Sequence, residues 1–541
     1  MFADRRLRRL RHGLPFVAIA LTAAVLVQAA SGGSRPGPNG TFLVDGAPVF
    51  PIVLSKGPPR GGTTPSGGDA LDEVVGAGVD FLKVGPATTV WTDLDLQDAV
   101  QWDRAAAARG VYTWVNLSTL SQAQPGSNKD TILQKVVTTL KGDAAGASGL
   151  GMWKGADEPW WNGFSVSSLQ FAYCLGTSRG DPGWCSGETP VDADHAWVTI
   201  EAPRGTAADL APYTAVTDTH GVDEYPIGIG VSDPDLHQVG RWTSTIASIT
   251  PNGSVWTTLQ VCSSASYSGG EFVLPTTKQE RYMVYDAIIN GARSVGFYGG
   301  NNPSCWSAAD RALGWNWTFW NATLKGLVGE IRASSPLGPA LVNPGSTEVL
   351  APNDPTTQAI SRRGVTANDL WILAARSGGG TADVTIGGLP AGVTSGSVYT
   401  EGRSVSVSDG AFTDTFGRWD VHVYHFTVPS FPTAAAVVGL AAQRASADAA
   451  VVRWRAGGDA RALGFNVYAE FASRRARLNL RLIPVRPMPI AAYVFRTRVA
   501  CRYWVEEVRV DGSRSLYGPV RVASGASACT CGRAGRACSG S

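Results

Sequence analysis

The sequence predicts an α/β fold, a (β/α)8 TIM barrel followed by two all-β sandwich domains, and three observations predict it. Eight short apolar runs alternate with helical patterns over residues 41–334. Beyond residue 333 the period changes, and Gly-, Ser- and Thr-rich turns separate strand-like runs. The chain has 541 residues, room for about three domains at roughly 100–200 residues each.

Composition narrows the classes further. Charged residues make up 17% and apolar ones 44%, which excludes a largely disordered chain. The 64 Gly and 32 Pro follow no period, so they mark turns and not a collagen repeat. A net charge of +2 gives no reason to expect a nucleic-acid partner. That charge is unevenly spread. Residues 1–31 hold five Arg and one Asp, a net +4. Residues 432–541 hold seventeen Arg, no Lys and six acids, a net +11, which leaves about −13 for the stretch between. An acidic centre and a basic end read as separate modules, and the basic one is a candidate for contact with acidic cell-surface polymers.

Taken in order, the first element is a targeting segment. Arg5, Arg6, Arg8, Arg9 and Arg11 precede the apolar run 14–27, and Val27-Gln28-Ala29 is a small-residue cleavage site. We read residues 1–29 as a signal peptide and 30–40 as a linker, so the protein is expected to be secreted, in the periplasm or at the cell surface. No other segment reaches 18 continuous apolar residues, and no membrane span is expected in the mature chain. Eight cysteines suit an oxidising compartment. Cys174 and Cys185 share one loop, and Cys262 and Cys305 each follow a strand run, so both are candidate disulfides. Cys501, Cys529, Cys531 and Cys538 fall at the basic end. Cys529-Thr530-Cys531 lacks the spacing of a zinc knuckle and has no His nearby, so neither metal nor cofactor is expected.

In the barrel region the strand runs are 49–55, 81–85, 112–117, 151–156, 197–202, 222–227, 255–261 and 294–299. Most are apolar on both faces, as buried parallel strands are. Helical patterns lie at 69–77, 96–109, 129–140, 234–249, 277–290 and 317–331; the links after the fourth and fifth strands are less helical. The first sandwich is read over 335–430, with strands at 369–375, 381–386, 397–400 and 419–426. A second all-β domain is read over 431–522, with strands at 451–454, 464–470, 491–495, 503–510 and 518–522. Residues 523–541 are read as a flexible tail containing cysteines.

In such a barrel the chemistry sits at the C-terminal ends of the strands. There the sequence places Asn116 after the third strand, Asp157-Glu158-Pro159-Trp160-Trp161 after the fourth and Glu201 after the fifth. Asp223-Glu224-Tyr225-Pro226 follows the sixth, Gln260 the seventh and Tyr298 the eighth. Carboxylates ringed by aromatic side chains suit a carbohydrate: one acid protonates a leaving oxygen, a second carboxylate faces it, and Trp and Tyr stack on sugar rings. The chain has 18 Trp in all. It has no Gly-x-Ser-x-Gly, His-Glu-x-x-His or Walker loop.

These residues resemble a family. The opening run Phe42-Leu43-Val44-Asp45-Gly46-Ala47-Pro48-Val49-Phe50-Pro51 looks like that of bacterial β-galactosidases and cellulases of the retaining β-glycosidase clan. The Asp-Glu-Pro at 157–159, the Asp-x-Tyr-Pro at 223–226 and Gly291-Ala292-Arg293-Ser294-Val295-Gly296-Phe297-Tyr298 fit the same group. Trp419-Asp420-Val421-His422-Val423-Tyr424 resembles the closing strand of a sandwich appended to such barrels. Leu463-Gly464-Phe465-Asn466-Val467-Tyr468 and Tyr503-Trp504-Val505-Glu506 resemble a fibronectin type III-like module. The resemblance implies a glycoside hydrolase with a poly- or oligosaccharide substrate, and it puts Glu158 at the acid/base position. Asp157 stands where the family has Asn, and Gln260 where it has the nucleophilic Glu.

An amide cannot form a glycosyl ester, so three arrangements stay open. Asp223, Glu224 or Glu201 supplies the second carboxylate; or Asp157 and Glu158 act as the pair of a substrate-assisted mechanism; or the barrel binds glycan without cutting it. The expected catalytic residues are Glu158, Asp223 and Asp157. Trp160, Trp161, Tyr225, Glu201, Glu224, Gln260, Tyr298 and Asn116 are the expected substrate contacts.

Overall fold

A computed structural model describes residues 33–523 except 38–39, 178–189, 229–230, 251–253, 263–272, 344–347, 367, 429–436, 447, 457–461, 472–473, 486–490, 501 and 510–513. The expected signal peptide, residues 524–541 of the expected tail, and Cys185, Cys501, Cys529, Cys531 and Cys538 lie outside the described residues. No helix among the described residues is long and apolar enough to cross a membrane.

Eight parallel strands close into a barrel. They are β1 (Ile52–Leu54), β2 (Phe81–Val84), β3 (Tyr112–Asn116), β4 (Leu150–Asp157), β5 (Ala196–Glu201), β6 (Thr219–Glu224), β7 (Val255–Gln260) and β8 (Ser294–Tyr298). β8 pairs with β1 through Val295 and Ile52, and β6 pairs with β7 through Asp223 and Thr258, so no edge is left open. All eight overlap the runs expected from sequence. β6 lies three residues earlier than expected at both ends: it begins at Thr219 and stops at Glu224, ahead of Pro226, which has no N–H to give a ladder.

The barrel is filled at its N-terminal end. A hairpin of Phe42–Val44 and Ala47–Val49 sends Phe42 and Val44 into a cluster with Val53, Phe81, Trp114, Met152, Val198, Ile200 and Trp256. Phe42 meets Trp256 edge to face at 5.4 Å between ring centres. With this end plugged by aromatic rings, only the C-terminal mouth is available for polar groups.

Helices cover the outside. Asp93–Ala107 starts at a reciprocal cap between Thr92 and Asp95, and Thr277–Ile289 at one between Thr276 and Gln279. After β4, Val166–Gly176 is helical although its sequence shows no clean stripe, since residues 172–176 are all buried. After β5 only the short turns Ala207–Leu210 and Ala211–Val216 form. The expected helix 317–331 is continuous but widens to a π-type turn over Trp320–Leu324.

Two all-β sandwiches follow. The first pairs Thr357–Arg363, Asp369–Arg376, Val421–Thr427, Ser395–Val398 and Arg403–Ser406 in one sheet, against Ala351–Pro352, Ala382–Gly387 and Ala411–Phe416. Leu370, Ile372, Ile386, Phe412, Tyr424 and Phe426 fill the space between the two. The outer residues Trp371, Leu373 and Val423 join the core around the barrel helix Thr277–Ile289. Arg281 of that helix clasps Glu330 at 2.7 Å and gives its other N–H to Val421 O. The second sandwich sets Ala491–Arg498, Ala449–Ala456, Val438–Arg444 and Val522–Ala523 against Arg474–Arg477, Ala462–Phe471, Arg502–Arg509 and Arg514–Val520. Trp454, Phe465, Tyr493 and Tyr503 form its centre.

Candidate active site

The fourth strand carries an irregularity where the chemistry begins. Lys154 pairs with Val198 and Asp157 with Ile200, so β4 spends one residue more than β5 over that stretch. This bulge is built on Gly155: a Cβ there would overlap the indole of Trp197. The extra residue keeps Lys154 and Asp157 together at the mouth, with Lys154 Nζ 2.5 Å from Asp157 Oδ1. Glu158 follows with φ 47°, a left-handed conformation costly for a residue with a Cβ. Its N–H is held by Ile200 O at 2.7 Å, and its carbonyl by Asn162 N–H at 2.9 Å. Strain held by surrounding bonds is a feature of functional turns.

Asp223 arrives from the far wall. The interior layer below it is full, because Gly221 lies tight against Ile200 and Trp256. Tyr225 donates its hydroxyl to Asp223 Oδ2 at 3.1 Å, and its ring stacks on Tyr298 with centres 5.5 Å apart and planes 16° apart. Asp223 Oδ1 has no hydrogen-bond partner among the described residues. Tyr298 is 40% exposed and Asp157's side chain 52%, so these groups border a recess of the mouth that is open to solvent.

Charge in the recess is strongly coupled. Burial, then the charges of Glu158 and Asp157, raises Asp223 well above the carboxylate range. Glu158 is raised too, by burial and then by Asp157. Burial acts the same way on Asp157, but the ammonium groups of Lys154 and Lys83 outweigh it and hold Asp157 low. Lys83, on β2 over the Trp114 ring at 5.6 Å, is pushed down to about 7 by burial and then by Lys154. The mouth therefore holds one stable carboxylate, Asp157, and a pair, Glu158 and Asp223, that binds protons more tightly than free carboxyls do.

The other expected residues are placed as follows. Trp161 is 58% exposed, with the Arg204 guanidinium 5.8 Å from its ring centre. Trp160 is half-buried, its ring against Gly205 and the helical layer. Glu201 is fully buried; it meets His220 Nε2 at 3.2 Å and accepts from Trp160 N–H at 3.4 Å. Glu224 is buried, and desolvation pushes it up to about 7. Asn116 is buried and donates to Pro86 O at 2.6 Å. Gln260, also buried, exchanges both hydrogen bonds with the Ile227 backbone, at 3.0 and 2.5 Å. The structure thus gathers Asp157, Glu158, Asp223, Tyr225 and Tyr298, and engages Glu201, Asn116 and Gln260 in holding loops.

Lys83 and Lys154 escaped the sequence reading. Their signal was a lysine at an inward position of an otherwise apolar strand, in Phe81-Leu82-Lys83-Val84 and Met152-Trp153-Lys154-Gly155. Behind the mouth, a disulfide joins Cys262 after β7 to Cys305 after β8, with Cα atoms 6.1 Å apart. Trp315, Trp317 and Trp320 are buried in the core. A broad surface depression of about 680 Å³ lies between Gln122, Ser127, Lys129 and Ser168, and no carboxylate lines it.

In sequence, no family model and no curated protein matches the chain. Among solved structures, it is similar to a glycoside hydrolase family 30 subfamily 8 xylanase from Clostridium acetobutylicum (TM-score 0.40, 12% identity, 74% of this chain and 98% of that one). It is also similar to an α-amylase from Geobacillus thermoleovorans solved with acarbose (TM-score 0.44, 10% identity, 66% and 91%). A protein described as a glycoside hydrolase gives a TM-score of 0.46 at 13% identity, over 74% and 98%. At such values the likeness carries no argument about chemistry, and the barrel rests on its own strand pairing.

Proposed function

We propose that the chain is an exported glycoside hydrolase that cuts O-glycosidic bonds of a poly- or oligosaccharide at the mouth of its barrel. One observation carries this reading: Glu158, just after β4, and Asp223, on β6, meet at one mouth, where the charge of Glu158 raises the proton affinity of Asp223. Such a pair titrates as a unit, and over a span of pH one member is neutral while its neighbour is charged. That is the state a proton donor and an opposing carboxylate require.

Glu158 is assigned as the donor to the leaving oxygen because it stands in the Asp-Glu-Pro after β4, where the resemblance puts the acid/base. Asp223 faces it as the second carboxylate, and the ionised Asp157 with Lys154 fixes the charge between them. The Tyr225–Tyr298 stack and the exposed Trp161 supply faces for sugar rings. In this reading the barrel belongs with the β-galactosidase and cellulase clan, and the sandwich and fibronectin type III-like module are accessories. The basic module would hold the enzyme on acidic polymers.

Gln260 favours a second reading, a non-catalytic glycan-binding barrel, since its amide is occupied on the Ile227 backbone and offers no carboxylate from β7. Reducing ends released from neutral, acidic and amino-sugar polysaccharides by the native chain, Glu158→Gln and Asp223→Asn separate the two. Loss of about 100-fold or more in both variants is the expected result for acid and opposing groups. Equal cutting by all three overturns the assignment, and binding of glycan without cutting by the native chain establishes the second reading.

A further inference from the structure

The second sandwich carries a charged face with a regular layout. In the antiparallel pair of Ala449–Ala456 with Ala491–Arg498, Val452 and Trp454 point to the core with Tyr493 opposite. By alternation the other face carries residues 449, 451, 453 and 455, opposite 498, 496, 494 and 492. Each of these four rows contains one arginine: Arg498 beside Ala449, Arg496 beside Val451, Arg453 beside Val494, Arg455 beside Ala492. Arg453, Arg455, Arg496 and Arg498 are all exposed. Rows on one face recur every ~6.7 Å, so the four cations form a stepped line about 20 Å long, two on each strand, with an apolar residue alongside each.

None of these four guanidinium groups has an ion pair or hydrogen bond among the described residues. On the opposite sheet the pattern differs: Arg509 meets Glu507 at 3.0 Å, Arg514 meets Glu506 at 3.6 Å and Arg502 meets Glu470 at 4.0 Å. The opposite sheet also has the exposed Arg474, Arg475 and Arg477, so its strands hold six Arg against three Glu, whereas the strands of the first sheet hold five Arg and no acid. A spacing of ~6.7 Å is within the roughly 8 Å screening length of physiological salt, so neighbouring cations act on one extended ligand together.

We infer that this sheet face docks an anionic polysaccharide, one bearing carboxylates or sulfates along an extended chain. The line of single cations matches a linear polymer of repeated charge, and the exposed Ala492 and Val494, beside Arg455 and Arg453, suit the C–H faces of sugar rings. No aromatic side chain stands in these rows to stack a base, which disfavours single-stranded nucleic acid. The inference rests on the glycosidase reading only in choosing a glycan over other polyanions; it gives that reading a charge class for the polymer.

The test measures binding of the full chain without turnover. Retention on immobilised polygalacturonate (carboxylate) and on heparin (sulfate) is compared with retention on a neutral glucan and on double-stranded DNA. The native chain is expected to be held by at least one acidic polysaccharide, more tightly than by DNA, and released by salt. A chain with Arg453→Gln, Arg455→Gln, Arg496→Gln and Arg498→Gln should bind at least tenfold more weakly. A chain with Arg474→Gln, Arg477→Gln, Arg502→Gln and Arg514→Gln loses the same charge from the other sheet and should stay within twofold. Equal loss in both quadruple variants, no retention on either acidic polymer, or tighter binding to DNA overturns the inference. Glu158→Gln should bind as the native chain does, so a failure to cut leaves docking intact and a failure to dock leaves cutting intact.

Discussion

Lys83 and Lys154 put two ammonium groups on the walls of one recess, but only Lys154 has a carboxylate in contact. Burial and the neighbouring charge leave Lys83 with a proton affinity near pH 7, against about 10.4 for a free lysine. Surface lysines such as Lys135, Lys278 and Lys325 sit in exposed ion pairs. At pH 7 the fraction of Lys83 in the reactive neutral form should exceed that of a free lysine by about a thousandfold. Brief acylation at increasing pH, read by peptide mass, should label Lys83 with a midpoint near 7; labelling in step with Lys135 would refute the assigned environment. The site was legible in part. Asp157, Glu158, Asp223, Tyr225 and Tyr298 could be found because strand ends in a barrel converge whatever their sequence separation. What Glu201, Asn116 and Gln260 do could not be read, because a side chain at a strand end turns to the mouth or to a loop according to partners that only the fold supplies.

The strands and helices of the barrel were readable for a simple reason. Parallel strands are apolar on both faces, and the amphipathic helices between them carry a different period. The bulge in β4 was not readable, since it depends on Trp197 lying against Gly155, forty-two positions apart in the chain. Gly155→Ala should therefore cost about 1–3 kcal/mol, as overpacking does. Its effect on turnover should exceed its effect on stability, because the bulge aims Asp157 and Glu158. Gly326→Ala is the comparison: that glycine lies in the helix Lys325–Ile331 with open space at its Cβ, and the change should stabilise by about 0.4–1 kcal/mol. Urea unfolding and the reducing-end assay on both variants check this; Gly155→Ala with native stability and activity would remove the bulge from the argument.

At the scale of the whole molecule, the barrel contains carboxyl groups whose burial sets a pH range for the fold. Asp80, Asp103 and Glu224 are each pushed up to about 7, in every case chiefly by desolvation. Between about pH 4 and 7 the folded chain keeps these protons while the unfolded chain releases them, so stability falls as pH rises through that window and levels off above it. Each group contributes at most about 3–4 kcal/mol to the fall. Asp354 works in the opposite sense. Hydrogen bonds from Thr356, Thr357 and Arg376 outweigh burial and hold it at about 2, so the stability it adds is lost as pH drops below 4 towards 2. The two trends place the maximum near pH 4–5, below the pH 5–8 where many proteins peak. The thermal midpoint of the barrel should be several degrees higher at pH 5 than at pH 8, at roughly 2–4 °C per kcal/mol. Asp103 is wholly buried and accepts one bond from Thr113, so Asp103→Asn mimics its neutral form and should reduce that difference by raising the pH 8 midpoint alone. A midpoint that rises from pH 5 to pH 8, or an Asp103→Asn chain with the native pH dependence, would show that these carboxyls are ionised in the fold.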